Sequence, residues 1–280
     1  MSKIKIGQIG VGHAHASGKM DVYRKSSEYE VVGIAEPDEK LRRQAENSPT
    51  YKGLPWMTAE QLLNVSGLQA VAVETEPREL LKYAEMCADA GKHIHLDKPA
   101  GESLMQFRRI LDTMTRKHIC LQMGYMFRYQ PGVMLVKDLV RKGFLGELFE
   151  VHTVMSKVVD PANRIRHAEY PGGMMFELGC HVIDIVLDLL GPPDSVMPFK
   201  QHAGSQQDSL LDNMLAVLSY PRALATVKSS ALEVDGGSRR HLVVCGTEGT
   251  AHIEPLDATK SVRLTLSKDR GKYKKGRQDV

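Results

Sequence analysis

Through its first 124 residues the chain alternates short apolar runs with helix-compatible stretches, and nothing else in it restricts the fold as strongly. Strand-like Ile4–Ile9 and a helix-compatible stretch come first, then a second strand over 29–36. Helical 59–65, the apolar strand Ala70–Val73, helical 78–90 and a strand carrying Ile94 and Leu96 follow; helical 103–117 and a strand over 118–123 complete the series. Strands separated by helices run parallel, so this order predicts an α/β, doubly wound parallel sheet, a Rossmann-type domain over residues 1–124. Open sheets of that kind bind ligands at the carboxyl ends of their strands. The residues just past each apolar run are therefore the first candidates for a site.

After the first strand stands Gly10-Val11-Gly12-His13-Ala14-His15, the layout of a dinucleotide fingerprint. Gly10 suits the tight turn, and Gly12 lets a pyrophosphate approach the backbone at the start of a helix. His15 takes the place of the third glycine, so the fingerprint is incomplete. The second strand ends in Glu36, 24 positions after Gly12. An acid at about that distance hydrogen-bonds the adenosine ribose in dinucleotide folds; capping the helix that opens at Pro37-Asp38 is the alternative. Thr75 follows the third long strand, and Asp97-Lys98-Pro99 follows the strand of Ile94 and Leu96. Pro99 has no N–H for a sheet ladder, so the strand must stop before it. Lys98 is then either a solvated residue past a strand end or a group aimed into the ligand crevice. Gly10, Glu36, Thr75 and Lys98 all fall on the same carboxyl edge.

The bulk composition narrows the partners. A net charge of +3 on 280 residues, with no long basic block before the last dozen residues, argues against nucleic acid. No apolar run approaches the roughly 20 residues that span a bilayer. Cys87, Cys120, Cys180 and Cys245 are widely spaced, with no C-x-x-C pair. They read as reduced, mostly buried thiols of a cytoplasmic protein. The N-terminus runs straight into a strand, which predicts no signal peptide.

After Gly124 the pattern changes to a second domain over 125–280. Helices are expected over 130–142 and 174–190, with strands at Leu148–Val154, 214–219, 224–229, 241–245 and 251–253. Turns at Pro221-Arg222 and Gly246-Thr247-Glu248-Gly249 make the later strands antiparallel, so this domain is α+β with an open, mostly antiparallel sheet. Residues 268–280 are charged and unpatterned and are expected to fray. On the helix over 174–190, Glu177, His181, Asp184 and Asp188 fall at i, i+4, i+7 and i+11, a polar stripe on an otherwise apolar helix. A stripe of this kind needs a cleft or partners; a solvated helix face is the plainer alternative. Glu177 one turn from His181 is an arrangement that tunes a histidine for acid–base work.

Gly10-x-Gly12, Glu36, Ala90-Gly91-Lys92-His93 through Asp97-Lys98-Pro99, Gly146-Glu147-Leu148 and Gly172-Gly173 through Glu177-x-Gly179-x-His181-x-x-Asp184 together resemble the glucose–fructose oxidoreductase, inositol dehydrogenase and rhizopine-catabolism (Gfo/Idh/MocA) family. The resemblance implies NAD(P)-linked oxidation or reduction of a hydroxyl or carbonyl carbon in a sugar, polyol or similar compound. It implies Lys98 and His181 as catalytic groups, with Glu177 beside them, and Asp184 and Arg128 as substrate-binding residues. The cofactor set it suggests is Gly10, Val11, Gly12, His13, Ala14, Glu36, Thr75, Asp97 and Lys98. Glu36 favours NAD over NADP, because a carboxylate would repel a 2′-phosphate. Members commonly form homodimers or homotetramers through the second sheet. Asp97 stands where the family usually has glutamate, and Met174 where it has a third glycine. The resemblance also permits a glycosidase that oxidises its substrate transiently on bound NAD, and a non-catalytic NAD-binding sensor is the other alternative.

No metal is expected. A shared ion on the helix stripe would need ligands spread over roughly 10 Å of helix axis, and Lys98 would oppose a cation beside it.

Overall fold

Strand β1 (Ile4–Ile9) forms where apolar side chains alternate to both faces of a sheet: Ile9 turns to one buried side and Ile6 to the other. It opens the first of two units, Met1–Gly124 and Tyr125–Val280, in a computed structural model that describes residues 2–258 and 260–280. The first unit continues α1 (Ala16–Lys25), β2 (Tyr29–Ala35), α2 (Glu39–Glu46), β3 (Trp56–Met57), α3 (Ala59–Leu63), β4 (Ala70–Val73), α4 (Leu80–Asp89), β5 (His93–Leu96), α5 (Leu104–Arg116) and β6 (Leu121–Met123). Its sheet has the order β3-β2-β1-β4-β5-β6, all parallel. The order reverses between β1 and β4, the switch point at which such sheets bind dinucleotides.

On one face Ile9, Val71, Val73, Ile94 and Leu96 pack against Leu62, Leu80, Ala84 and Ile110 of α3, α4 and α5. Each fully buried aliphatic contributes about 1.5–3 kcal/mol relative to exposure. The other face is different. Gln8, Glu74 and Asp97 lie on the opposite alternation and are wholly buried there. The helices begin at ordinary caps: Asp38 accepts from the Lys40 and Leu41 N–H groups, and Thr58 forms a reciprocal box with Gln61. The α1 start has neither a side-chain cap nor an acid in its first turn. That leaves its positive end available to an anion.

The second unit opens with a 3₁₀ turn, Met126–Tyr129, then α6 (Pro131–Arg141), β7 (Leu148–Val154) and α7 (Pro161–Ala168). After α7 a π-helical turn, Met175–Gly179, leads into α8 (Cys180–Leu190). Six strands follow: β8 (Ser195–Gln201), β9 (Asn213–Ser219), β10 (Leu224–Ser230), β11 (His241–Gly246), β12 (Gly249–Ile253) and β13 (Arg263–Leu266); β14 (Gly276–Asp279) ends the chain. The eight-stranded sheet has the order β14-β13-β12-β11-β7-β10-β9-β8, antiparallel except where β7 meets β10. One face is the core: Val151, Ala225, Val227, Leu242 and Val244 pack with Val133 and Val136 of α6 and Val182, Ile185 and Val186 of α8.

Several expectations need correction. Residues 268–280 do not fray: β14 pairs with β13, Arg263 to Asp279 through Leu266 to Gly276. Charges hid that strand because it is an edge, where charged side chains are the usual protection. Strand β8 escaped notice for a related reason, since all seven of its residues are exposed and show no alternation. The helix over 174–190 is not one regular α-helix, because its first turn is π-helical. His118 has φ of 53° and closes the turn after α5 instead of opening a strand. Among the cysteines only Cys87 is buried, and Cys120 is exposed. No helix among the described residues is long and apolar enough to cross a membrane.

Candidate functional site

In the first unit the strand ends bring the nucleotide candidates together. Gly10 has φ of 94°, and a Cβ on it would lie 2.3 Å from the Thr75 backbone nitrogen, so the turn at the switch point admits only glycine. Thr75 is buried, and its hydroxyl finds no hydrogen-bond partner among the described residues. Glu36, one residue past β2, accepts from the Val11 N–H at 2.6 Å and the Asp38 N–H at 2.8 Å. It thus holds the glycine turn and also steadies the residue that caps α2. Burial raises its pKa against these two bonds. A cleft of about 530 Å³ opens here, lined by Gly12, Glu36, Lys40, Thr75, Glu76 and Tyr83 among others. Its volume lies in the range of cofactor sites.

Lys98 is not a solvated residue; it is 2% exposed. Both of its backbone groups are held. Its N–H donates to Asp97 Oδ1 at 2.6 Å, and His13 Nε2 lies 3.0 Å from its carbonyl oxygen. Beneath it is a network that the sequence did not announce. His15 Nδ1 lies 3.2 and 3.1 Å from the two Asp97 oxygens, and the His15 N–H donates to His13 Nδ1 at 3.2 Å. Lys19 Nζ is 3.9 Å from Asp97 Oδ2 and bonded to His95 Nε2. Burial, then the Lys19 charge, push His95 down to about 4, so it is a neutral acceptor near neutral pH.

Glu74 completes the network. Neither of its oxygens has a donor, and it is wholly buried. Burial first, then the charge of Asp97 and a hydrogen bond with it, push Glu74 up to about 9. Glu74 therefore stands protonated at neutral pH beside the Asp97 carboxylate. Burial acts the other way on Asp97, but bonds from His15 and Glu74 and the charge of His13 outweigh it and hold Asp97 well below the usual carboxylate range. The available signals were the alternation His93-x-His95-x-Asp97 and an acid beside Thr75. Only the sheet order brings β4 and β5 side by side and makes those signals one cluster.

In the second unit His181 is buried on the first turn of α8, with the rings of Phe127 and Tyr125 edge-on at 5.3 and 6.1 Å. Glu177 lies in the π-helical turn, so the i, i+4 geometry assumed for Glu177 and His181 does not hold as drawn. Wide turns of this type are frequent at functional sites. Arg128 and Asp184 face each other: Nε to Oδ2 at 2.7 Å and Nη2 to Oδ1 at 2.6 Å, a bidentate pair. Both Asp184 oxygens accept from Arg128, so the two expected substrate-binding residues form one bidentate unit. Asp188 leaves the stripe as well, bonded to Lys137 at 2.5 Å.

Known proteins resemble this chain in sequence or in fold. The rhizopine catabolism protein MocA of Rhizobium meliloti is 26% identical over 198 residues, 68% of this chain and 58% of that protein. The scyllo-inositol 2-dehydrogenase (NADP(+)) IolW of Bacillus subtilis is 23% identical over 240 residues, 84% of this chain and 65% of that protein. The chain thus spans less than two-thirds of either relative. The solved structure of the WlbA dehydrogenase of Bordetella pertussis, in complex with NADH and UDP-GlcNAcA, superposes with a TM-score of 0.84 at 19% identity, over 96% of this chain and 78% of that one. Residues 4–125 match the oxidoreductase family's NAD-binding Rossmann fold and residues 133–252 match the GFO/IDH/MocA C-terminal domain, so the chain belongs to the Gfo/Idh/MocA family of oxidoreductases.

Proposed function

We propose that this protein is an NAD-dependent dehydrogenase or reductase acting on a hydroxyl or carbonyl carbon of a sugar or polyol. The observation that carries the reading is the switch-point cradle: a turn that only glycine fits, an unpartnered Thr75 hydroxyl beside it, and Glu36 fixed at the end of β2. Gly10, Val11, Gly12, His13 and Ala14 present the turn to a pyrophosphate, and Glu36 offers its remaining lone pairs to a ribose diol. The nicotinamide group, when bound, supplies the hydride acceptor or donor. Lys98 donates a hydrogen bond to the substrate oxygen and steadies its developing negative charge. His181 takes or returns the hydroxyl proton, with Glu177 close in sequence to assist it. Arg128, held flat by Asp184, keeps donors free for other substrate hydroxyls.

A screen of polyols and sugars for NADH absorbance tests this directly. One substrate class should turn over with the wild type and fail with Lys98→Ala. If NAD binds but no sugar or polyol reduces it, the reading gives way to a sensor. Cofactor choice is separable. IolW is named for NADP(+), and Lys40 lines the same cleft as Glu36. Titration should give tighter NAD than NADP binding, with Glu36→Gln narrowing the gap about 10-fold, on the scale of one lost charge contact. Equal or tighter NADP binding by the wild type would remove NAD as the preferred cofactor.

Association of copies through the second sheet belongs to the same proposal. The face opposite its core carries Met197, Phe199, Leu215 and Val217 on adjacent strands, with Met197 62% and Phe199 50% exposed. Apolar patches of this kind on one face favour a partner surface. Sedimentation should give a dimer or tetramer, and Phe199→Glu should shift it towards monomer; a wild-type monomer would end this part of the reading.

A further inference from the structure

The turn after β1, part of the proposed cofactor cradle, also brings together three side chains with the chemistry of metal ligands. His13, His15 and Asp97 each present one ligand atom, and these atoms lie within 4.8 Å of one another; among the described residues no other set of three such side chains converges so closely. A tetrahedral ion with bonds of about 2.0–2.1 Å sets its ligand atoms roughly 3.3 Å apart. His13 Nδ1 lies 3.3 Å and His15 Nδ1 3.1 Å from Asp97 Oδ2, so two edges of such a tetrahedron are in place.

The outer contacts favour these same atoms. His13 Nε2 faces the Lys98 carbonyl at 3.0 Å, which puts the ring proton on Nε2 and makes Nδ1 the acceptor; it takes the His15 N–H at 3.2 Å, a bond that an ion would replace. A backbone carbonyl behind a ligating imidazole is a common support for bound metals. Asp97 Oδ1 accepts from the Lys98 N–H, and Oδ2, which faces both imidazoles, is the ligand oxygen. His15 is 40% exposed at its side chain and gives an ion a way in.

We propose that His13, His15 and Asp97 form a site for one divalent transition-metal ion of the zinc class, with a fourth position open to water. Two imidazoles and one carboxylate suit zinc and its neighbours and not magnesium. This proposal goes against the expectation of a metal-free protein; on the α8 stripe Asp184 is already committed to Arg128. Lys19, 3.9 Å from Asp97 Oδ2, carries a charge that opposes a cation, and it supplies a test of opposite sign.

The full chain, stripped with EDTA and returned to chelator-free buffer, is titrated with zinc by calorimetry and with cobalt(II) by visible absorption. One ion per chain should bind, and cobalt should give the intense bands of a four-coordinate nitrogen–oxygen site. His15→Ala, at a half-exposed position that should leave folding intact, should weaken binding at least 10-fold, and Asp97→Asn likewise. Lys19→Gln should tighten it. Magnesium should show no stoichiometric binding. The rival site is the trio His152, His241 and His252 on the second sheet, whose neighbouring rings lie 5.0 and 6.1 Å apart. The proposal fails if zinc does not bind stoichiometrically. It fails equally if the His13→Ala/His15→Ala double variant binds as wild type, or if His241→Ala abolishes binding.

Discussion

Asp97 and Asp184 are both buried carboxylates at the proposed site residues, and the two units treat them differently. Asp97, in the first unit, spreads its charge over a backbone N–H, two imidazoles and a protonated Glu74, with the nearest ammonium 3.9 Å away. Asp184, in the second, places both oxygens on one guanidinium. A dispersed solution makes the protonation of the whole cluster matter and leaves no single partner decisive. A bidentate solution makes one partner decisive. Each carboxylate also adjoins a proposed catalytic group, Lys98 in sequence and His181 on the turn before Asp184.

The largest expected effect tests whether both regions act in one reaction. Lys98→Ala and His181→Ala should each lower turnover by about 100-fold or more on the substrate found by the screen, the scale of acid–base and charge-stabilising groups. Near wild-type turnover in either variant would leave the chemistry to the other region alone.

The next effect sharpens the contrast in pH behaviour. Glu74 is raised from an ordinary carboxyl value of 4.5 to about 9 in the folded protein, so between these values the native state binds the extra proton. Stability must then fall as pH rises through that window, by at most about 1.4 kcal/mol per pH unit for one proton. Glu74→Gln removes this loss and should be more stable than wild type at pH 8, with the gap closing towards pH 5. Asp97, lowered from 3.8, contributes stability that is present above that value and lost as pH falls below it. Urea denaturation across this range decides the matter; parallel profiles for the two proteins would mean that Glu74 is not the protonated member.

A smaller effect is expected at Arg128. Arg128→Ala strips a buried carboxylate of its partner, but the Arg128 side chain is 45% exposed and water can take part of its place. The loss should be about 1–2 kcal/mol, below the cost of breaking a fully buried pair and above that of a surface one. Arg128→Lys should recover little of it, since an ammonium cannot repeat the bidentate contact. A loss under a few tenths of a kcal/mol would show that the two carboxylates are less different than their contacts suggest.

What the amino-acid sequence determined by itself was whatever depends on neighbours along the chain. Alternating apolar residues and the stops at Gly10, Gly91 and Pro99 decide where strands and helices begin and end. They put Gly10, Glu36, Thr75 and Lys98 at strand ends, because a turn residue or a missing N–H acts within a few positions. Tertiary structure decided everything that depends on what lies across. Glu74 looks like any acid after a strand until β4 sits beside β5 and buries it against Asp97. Arg128 and Asp184 are 56 residues apart and each read as a separate polar group until folding paired them. The edge strands β8 and β14 left no apolar signature, since an edge buries little and its pairing is written in the partner strand. A side chain's local pattern fixes its direction from the backbone, but its charge state and partners are set by the dielectric and the donors that the rest of the fold brings to it.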